Sequence, residues 1–292
     1  MLNVALGQAQ KVWRSGKRAA RSIIRAPLEQ RAKSLRDEAI KRGGGRIVMP
    51  EETCSAQFDA NTLAASPGTL GMLGEMATVW SKDAIRTRDE KKFPFNLLRS
   101  EDLFEHRALI DIAVHDDIIA AITGYMGQVP RLYNLTVWWT PPNDTVERSQ
   151  LYHYDHRDNK QAKVFINLNN VTKDSGPLHY IPADDCLKVN AKVGYSQGRY
   201  SDEDVYSAVP ESCVVATTGA PGKGFIVDTA RCLHYGSRGN KFDRLILMAS
   251  YARVNSVSPG PGCRVLDPIR KRLADELYKA DPVKSLVLNT PR

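Results

Sequence analysis

Three of the six histidines in the chain are followed, two residues later, by an aspartate. The three pairs are His115/Asp117, His153/Asp155 and His156/Asp158. An imidazole and a carboxylate that converge on one point can bind a divalent metal ion and leave other coordination positions open. Residues i and i+2 share one face of a β-strand, whereas in an α-helix they lie about 200° apart. Secondary structure therefore decides which pair can bind a metal ion.

The local sequence around each pair separates the three. His115 opens a segment of helical pattern, where the acids of "HDD" suit a helix N-terminus. His156 lies in "HRDNKQ", which is typical of a polar turn. His153 and Asp155 instead continue the inward-facing positions of a strand that starts near Gln150. The sequence therefore predicts that His153 and Asp155 are the metal-binding pair.

A third ligand has to come from another strand. His234 follows the apolar stretch "KGFIVDTARCL", at a position typical of a ligand on the rim of a β-barrel. Of the other histidines, His106 lies in the helical region and His179 follows an "SGP" turn. We therefore expect His234 to complete the site.

An arginine opens a later strand that has no obvious place for a charge. Arg244 is the first residue of "RLILMASYA", a run that is apolar on both faces. A guanidinium buried without a carboxylate partner is costly, and a bound dicarboxylate would supply that partner through two parallel hydrogen bonds. Arg238 is a rival, but it lies in the turn "GSRGN", where a solvated charge is expected.

The elements that position these residues are mainly β-strands after Pro130. Short runs rich in Val, Ile, Tyr and Trp are each bounded by Gly, Pro, Asn or Asp, which is typical of strands. The runs are 131–140, 149–155, 163–171, 176–182, 213–219, 223–229 and 244–253. Because no long helix separates them, they predict an antiparallel sandwich or barrel of jelly-roll type.

Helical patterns flank this β region. Residues 70–127 have helical spacing, and a C-terminal helix is expected over about 268–281, with Asp267 as its cap. Residues 187–212 are an insertion with a short helix capped by Ser201. This insertion is our candidate for a lid over the site.

Positive charge is concentrated at the N-terminus. Residues 1–46 carry twelve Lys/Arg and three acids, a net charge of +9; the whole chain carries +8, so residues 47–292 sum to −1. "GGG" at 43–45 predicts a hinge, so we expect a basic arm (1–46) and one folded domain (47–292) with its β core at about 130–255. A body without excess positive charge argues against nucleic-acid binding. The five scattered cysteines, without a C-x-x-C, argue against a disulfide framework or a structural zinc site.

Three interpretations of the basic arm stay open. It is a solvated lead-in to the domain, an interfacial helix that contacts anionic lipid, or an organelle transit peptide. The corresponding locations are the cytoplasm, with or without peripheral membrane contact through residues 1–46, or an organelle.

The longest resemblance to a known family runs through the β region. "LYHYDHRDNKQAKVFINLNNVTKDSGPLHYIPA" followed by "GFIVDTARCLHYGSR" and "DRLILMASY" resembles the phytanoyl-CoA dioxygenase family of iron(II)/2-oxoglutarate oxygenases, over about residues 130–255. The resemblance implies a mainly β fold with flanking helices, a double-stranded β-helix (jelly roll, cupin-like). It implies iron(II) bound by His153, Asp155 and His234, with Arg244 on the distal carboxylate of 2-oxoglutarate. Asn170 and the "ADD" after Pro182 depart from the family pattern.

Several further side chains are candidates for contact with the cosubstrate. They are Gln150, Tyr152, Lys163 and Trp138; Trp138 and Trp139 have opposite parity, so one of the two is expected to line the cavity. Tyrosines beside the ligands are equally suited to packing.

The resemblance implies a dioxygenase that uses Fe(II), 2-oxoglutarate and O2. Because Asp155 keeps the carboxylate ligand, hydroxylation of a C–H bond in a small-molecule or lipid- or sugar-linked substrate is expected. The alternative is a non-catalytic jelly-roll binding module, a degenerate oxygenase docked at a membrane surface by its basic arm. The sequence selects neither the substrate nor the oligomeric state.

Overall fold

The structure is a computed structural model that describes residues 25–63, 68–83, 94–256 and 265–289. Its strands form two antiparallel sheets. In chain order they are β1 (Ser55–Asp59), β2 (Phe95–Asn96), β3 (Arg131–Thr140), β4 (Gln161–Asn167), β5 (His179–Tyr180), β6 (Val215–Ala216), β7 (Lys223–Val227), β8 (His234–Tyr235) and β9 (Arg244–Ala252). The larger sheet has the order β1-β7-β4-β9-β3-β2, and the smaller has the order β6-β5-β8. The predicted jelly-roll class is confirmed.

Helices flank the two sheets. They are α1 (25–34), α2 (Arg36–Arg42), α3 (Thr69–Lys82), α4 (Asp102–Glu105), α5 (Ala108–Ala113), α6 (Asp116–Met126), α7 (Ala183–Val193), α8 (Asp202–Tyr206), α9 (Arg270–Leu277) and α10 (Pro282–Asn289). α3 contacts β3 and β9, and α10 contacts β3, the strand next to the edge strand β2. None of the helices within the described ranges is long and apolar enough to cross a lipid bilayer.

Strand parity separates the two faces of the larger sheet. Leu135 and Val137 of β3 are fully buried, and they belong to the same apolar core as the residues of α3. The alternate residue Trp138 lines an interior cavity instead. Because directly paired residues in an antiparallel sheet share a face, β9 presents Ile246 and Met248 to the same interior.

Isolated backbone pairs extend the smaller sheet. His153 pairs with His234, the first residue of β8, and Tyr152 pairs with Tyr200. The strand expected at 149–155 is present only as these pairs, because residues 148–150 form a 3₁₀ turn directly before them.

The N-terminal end of α6 follows the sequence signal. The His115 ring accepts a hydrogen bond from the backbone N–H of Asp117 at 3.3 Å, so His115 is the N-cap, as predicted. Gly127 ends the helix in the left-handed conformation, with φ of 74°. The carboxylate of Asp117 pairs with Arg46 at 2.7 Å. This first His-x-Asp pair therefore serves helix capping and packing.

Part of the expected N-terminal arm packs on the domain. Ala32 and Ala39 are buried in the main apolar core, and Arg42 pairs with Asp281 at 2.8 Å. The "GGG" turn therefore lies within the packed body, since the chain on both sides of it contacts the core. Residues 1–24 lie outside the described residues.

The C-terminal helical region differs from the sequence expectation, whereas the helix in the insertion agrees with it. Within the helix expected over about 268–281, only α9 (Arg270–Leu277) is helical, and a further helix, α10, begins at Pro282. Pro282 lacks the N–H needed to continue a helix but suits its first position, so the two helices stay separate. Ile269 is the N-cap of α9, and the carboxylate of Asp267 binds the Arg270 side chain at 2.7 Å. In the insertion, the predicted Ser201 cap of α8 is confirmed.

One glycine contact fixes α3 against the sheet. A Cβ atom added at Gly74 would lie 2.0 Å from the backbone oxygen of Leu168, at the end of β4. A Cβ atom added at Gly71, about one turn earlier on α3, would have no other atom within 4 Å. The close approach of helix and strand therefore needs glycine at Gly74 but not at Gly71.

We predict opposite effects for alanine at these two glycines. Gly74→Ala should lower the free energy of unfolding by about 1–3 kcal/mol, because backbone atoms must move apart. Gly71→Ala should raise it by up to about 1 kcal/mol, because alanine favours helix. Urea unfolding followed by circular dichroism measures both; a Gly74→Ala protein as stable as the wild type would contradict the packing.

Candidate metal and cosubstrate site

A backbone pair brings the two histidines together. The N–H of His153 donates to the carbonyl of His234 at 3.0 Å, and the N–H of His234 donates back at 3.1 Å. Two side chains opposite each other in an antiparallel pair stand on one face of the sheet. The imidazole rings accordingly lie with their centroids 4.3 Å apart, although 80 residues separate them in sequence.

Each imidazole is oriented by a carbonyl two residues earlier. Nδ1 of His153 lies 2.8 Å from the carbonyl oxygen of Leu151, and Nδ1 of His234 lies 3.0 Å from that of Cys232. A proton on each Nδ1 satisfies these carbonyls and leaves Nε2 as a free lone pair. This is the tautomer that a metal-binding imidazole needs.

The carboxylate of Asp155 completes the group. Its backbone N–H is held by the carbonyl of Thr229 at 2.8 Å, and Oδ2 lies 3.6 Å from Nε2 of His234. One potential ligand atom from each of His153, Asp155 and His234 lies within 4.8 Å of the others. Two imidazoles and one carboxylate on one side of an ion match the facial triad of non-haem iron proteins. The donor set therefore fits an iron(II) ion.

Lys163 of β4 also contacts this carboxylate. Its ammonium lies 2.5 Å from Oδ2 of Asp155, the same oxygen that faces His234. Lys163 was expected to contact the cosubstrate or stabilise the sheet, and the structure places it beside the ligand group. The β4 strand thus supplies a positive charge beside the partly buried carboxylate.

The protonation states of the three residues suit metal binding. Burial lowers the pKa of His234 to about 3 and also lowers that of His153. Burial alone would raise the pKa of Asp155, but the neighbouring Lys163 ammonium outweighs it, so this pKa lies below its ordinary value. Near neutral pH the site therefore holds two neutral imidazoles and one ionised carboxylate.

The guanidinium of Arg244 is buried without a carboxylate. Arg244 is only 4% exposed, and its burial lowers its pKa to about 10. Its NH2 group donates to the hydroxyl of Ser237 at 2.8 Å, while Nε has no hydrogen-bond acceptor among the described residues. A Cβ atom added at Gly236, two residues after His234, would lie 3.8 Å from Nη1 of Arg244, so the chain passes close to the guanidinium. An anionic group bound here would satisfy a charge that the protein leaves uncompensated.

Gln150 supports Arg244 from behind and does not face the cavity. Its side-chain amide donates to the carbonyl of Ser237 at 2.6 Å and to Asn143 at 3.0 Å. Its side-chain oxygen accepts from Thr145 and from the backbone of Glu147. All of these hydrogen bonds fix the loop, so the expected contact with a cosubstrate is not what the structure shows.

Tyr152 also differs from its expected role. Neighbouring residues of an extended chain point to opposite faces, and Tyr152 points away from the face that carries His153. It is fully buried in a second apolar cluster, where its hydroxyl meets that of Tyr206 at 3.1 Å and its ring packs on Tyr235. It is a packing residue.

The cavity beside the ligand group has a volume of about 330 Å³. Its walls come from β3, β4, β9 and the loop after Asp155. They are Tyr133, Asn134, Trp138, Asp155, His156, Arg157, Gln161, Lys163, Met248 and Ser250. As parity predicts, Trp138 lines the cavity, whereas Trp139 stacks on Phe95 at 5.2 Å outside it.

The insertion does not form a lid over this cavity. None of the described residues that line it comes from 187–212. Tyr200 and Val205 of the insertion instead pack with Tyr152 in the second apolar cluster. The insertion therefore buttresses the back of the strand segment that carries His153.

Sequence reasoning missed two supporting contacts. The Ser237 hydroxyl that holds Arg244 lies in a turn, with φ of 62°, and its carbonyl is bound by Gln150. The Lys163–Asp155 pair joins two elements through their tertiary packing. For the Lys163–Asp155 contact, the one available signal in the sequence was a lysine at a strand position that faces the interior.

Comparisons with known proteins bear on the fold. No protein-family model matches the chain, and no curated protein matches it in sequence. The chain has the double-stranded β-helix fold of the 2-oxoglutarate oxygenases. EctD from S. alaskensis in its apoform shares this fold, with a TM-score of 0.51 and 16% identity over 74% of this chain and 84% of that chain.

Two solved structures from nogalamycin biosynthesis are also similar. The non-heme alpha ketoglutarate dependent carbocyclase SnoK has a TM-score of 0.48 and 15% identity, over 76% of this chain and 86% of its own. The non-heme alpha ketoglutarate dependent epimerase SnoN has a TM-score of 0.47 and 14% identity, over 75% of this chain and 84% of its own.

We predict that metal affinity changes little across weakly acidic pH. Lowered histidine pKa values keep the imidazoles neutral as the pH falls, and a lowered aspartate pKa keeps the carboxylate charged. Ni²⁺ affinity, measured by calorimetry, should change less than about tenfold between pH 7.5 and 5.5. Two histidines with ordinary pKa values would instead lose roughly 100-fold over this range, and that result would contradict the assigned burial.

Proposed function

We propose that the protein is an iron(II)- and 2-oxoglutarate-dependent dioxygenase that hydroxylates a C–H bond of a small-molecule or lipid- or sugar-linked substrate. One observation carries the proposal: potential ligand atoms of His153, Asp155 and His234 lie within 4.8 Å of one another inside a jelly roll. These are the three iron ligands that the sequence resemblance to the phytanoyl-CoA dioxygenase family implies. We include membership of that family in the proposal.

Iron(II) would be held by Nε2 of both imidazoles and by a carboxylate oxygen of Asp155. The Nδ1 hydrogen bonds to Leu151 and Cys232 keep the two lone pairs pointed at one place before any ion arrives. Three ligands on one face leave the opposite positions for the cosubstrates.

2-Oxoglutarate would be anchored through its distal carboxylate by Arg244. The proposal is supported by a buried guanidinium whose hydrogen-bonding capacity is only partly used and which lies beside the chain just after His234. A bidentate contact with a carboxylate suits this planar donor. EctD from S. alaskensis has been crystallised with bound Fe and with 2-oxoglutarate and 5-hydroxyectoine.

Bound iron with 2-oxoglutarate and dioxygen supplies oxidation of a C–H bond, coupled to decarboxylation of 2-oxoglutarate to succinate. The protein's own residues position the reactants and limit water. Trp138 and Met248 give the cavity an aromatic and apolar wall, and Asp155 stays ionised beside Lys163. Hydroxylation is favoured over halogenation because Asp155 keeps the carboxylate ligand, which would leave no coordination position for chloride.

Location is part of the proposal as well. We infer a cytoplasmic protein that contacts an anionic membrane surface through the basic residues before Arg25, which are Lys11, Arg14, Lys17, Arg18 and Arg21. The later part of residues 1–46 packs on the domain, where Arg42 pairs with Asp281. The competing possibility of an organelle transit peptide is separated from this one by sequencing the N-terminus of the mature protein.

We predict that iron binding needs His153 and does not need His156, although the two lie only three residues apart in the sequence. His153→Ala should reduce bound iron from one per chain to less than about a tenth, because a ligand is lost. His156→Ala is the matched control and should keep the wild-type iron content, since His156 is exposed and outside the ligand group. Anaerobic reconstitution followed by metal analysis measures both. Wild-type protein that binds no iron would favour the non-catalytic binding module.

We also predict that 2-oxoglutarate binding depends on Arg244. Arg244→Gln should weaken binding about 100-fold or more, because a buried carboxylate would lose its charged partner. Arg238→Gln is the control, since Arg238 already pairs with Asp202 at 2.7 Å, and it should change affinity less than about threefold.

Anaerobic calorimetry on the iron-loaded protein gives both affinities, and thermal unfolding verifies that each variant is folded. Succinate release then reports turnover. An Arg244→Gln protein that binds 2-oxoglutarate as tightly as the wild type would refute the assigned anchor.

A further inference from the structure

The charged side chains that line the 330 Å³ cavity beside the ligand group already have partners within the protein. Lys163 pairs with Asp155, and the guanidinium of Arg157 lies 4.2 Å above the Tyr133 ring. A charged substrate group would have to compete with these contacts. Unused hydrogen-bonding capacity around the cavity is found instead on neutral side chains, which indicates an uncharged substrate.

A row of polar side chains crosses one wall of the cavity. Asn134 of β3 is the direct backbone partner of Ser250 of β9, and Ser250 is in turn the partner of Lys163 of β4. Directly paired residues of antiparallel strands stand on the same face, with Cβ atoms about 4.5–5.5 Å apart. Gln161 lies two residues before Lys163 on β4, so it shares that face. All four side chains line the cavity.

A β-bulge in β3 adds an aromatic side chain to this wall. The register of β3 against β9 shifts between Leu132 and Asn134, so Tyr133 is an extra residue. A bulge of this kind re-aims a side chain. Tyr133 and Asn134 are consecutive, yet both line the cavity, where regular strand alternation would send one of them to the opposite face. Together with Trp138 further along β3, Tyr133 makes part of the wall aromatic.

Two of the polar side chains have unpaired atoms. Gln161 is fully buried, and its side-chain oxygen has no hydrogen-bond partner among the described residues. Ser250 is 1% exposed, and within the described part of the chain its hydroxyl likewise has no hydrogen-bond partner, although the Tyr133 phenol lies near it. A buried polar atom that is left unpaired destabilises the folded protein. A ligand that pairs with these atoms removes that cost.

Hydrogen bonds to the ligand group fix which end of the Gln161 amide is unpaired. Nε2 of Gln161 donates to the hydroxyl oxygen of Thr229 at 3.0 Å. The Thr229 hydroxyl in turn donates to the carboxylate of Asp155. Because its proton is used there, the Thr229 oxygen can only accept from the amide, and Oε1 of Gln161 is the unpaired atom. It is an acceptor, so its partner on a ligand has to be a donor.

A neutral sugar ring offers the groups that this wall lacks. Each sugar hydroxyl both donates and accepts, so it can donate to Gln161 and pair with Ser250 in either sense. An ionised carboxylate can only accept, so it cannot pair with the oxygen of Gln161. The C–H face of the ring suits the flat indole of Trp138. At about 330 Å³, the cavity is near the lower end of the roughly 300–1,000 Å³ range of ligand sites, which suits a single ring.

We propose that the substrate is a neutral sugar. Its ring lies against Trp138, one hydroxyl donates to Gln161, and another pairs with Ser250. The C–H bond to be oxidised faces Asp155 in the same cavity. This inference rests on the proposed oxygenase function and names its substrate class. The hydrogen bonds from Gln161 through Thr229 to Asp155 position the sugar relative to the iron site.

Sugar binding is measured by calorimetry on the full-length, iron-loaded protein, kept anaerobic so that no turnover occurs. The probes are the methyl glycosides of glucose, galactose, mannose and rhamnose. The methyl glycoside of glucuronic acid is the charged comparison, and cyclohexanol is the ring with a single hydroxyl. At least one neutral glycoside should bind about tenfold or more tightly than either comparison. Absence of binding by every neutral glycoside, or tighter binding of either comparison, would overturn the proposal.

Three variants test the polar wall. Gln161→Met removes the unpaired acceptor and should weaken glycoside binding about tenfold or more, and Ser250→Ala should weaken it about threefold or more. Thr136→Val is the matched control, because Thr136 is a buried hydroxyl on β3 that is not among the described lining residues; it should change affinity less than about twofold. Thermal unfolding verifies that each variant is folded. Wild-type affinity in Ser250→Ala and in folded Gln161→Met would contradict the assigned wall.

Two adjacent tryptophans test the position of the ring. Sugar binding should change the intrinsic tryptophan fluorescence, and Trp138→Phe should remove that change. Trp139→Phe should keep it, because Trp139 stacks on Phe95 outside the cavity. A change that is lost in Trp139→Phe and kept in Trp138→Phe would place the sugar elsewhere and refute the proposal.

Failure of this inference is distinguishable from failure of the oxygenase function. Iron content and 2-oxoglutarate affinity are measured on the same preparations, and the glycoside titration is repeated without iron. Protein that binds iron and 2-oxoglutarate but no neutral glycoside refutes the sugar inference alone. Protein that binds a glycoside through Gln161 and Ser250 but no iron supports the sugar site and favours the non-catalytic binding module.

Discussion

The candidate site depends on one backbone pair, the reciprocal hydrogen bonds between His153 and His234. These bonds place two side chains on the same face at a separation set by strand geometry. The next inward position after His153 is Asp155, which the carbonyl of Thr229 holds in place. Three potential ligands are therefore positioned by main-chain contacts, and the side chains need only small rotations to meet at one ion.

The sequence predicted those parts of the site that follow from local periodicity. The two-residue spacing of His153 and Asp155, at the head of an apolar run, gave the pair that the structure brings near His234. Parity likewise separated Trp138 from Trp139. Arg244 was identifiable because a charge at the start of a doubly apolar strand has no local partner. In each case, the deciding information lies within one strand.

The contacts that were missed join segments far apart in the chain. β1 pairs with β7, across more than 160 residues, and its short polar pattern gives little sign of a strand. Gln150 and Tyr152 are near the ligands in sequence, but a 3₁₀ turn and strand alternation direct them into other hydrogen bonds and another apolar cluster. The Lys163–Asp155 contact required the packing of β4 against a loop, which periodicity does not encode.

That lysine has a consequence for the maturation of the protein. A partly buried carboxylate beside two imidazoles is costly to desolvate, and many small metalloproteins stay unfolded until an ion arrives to compensate such charge. Here the ammonium of Lys163 provides the compensation from within the chain. Biosynthesis of the folded β core can therefore be completed before any metal is acquired, and loading becomes a separate, later event that exchanges one cation for another.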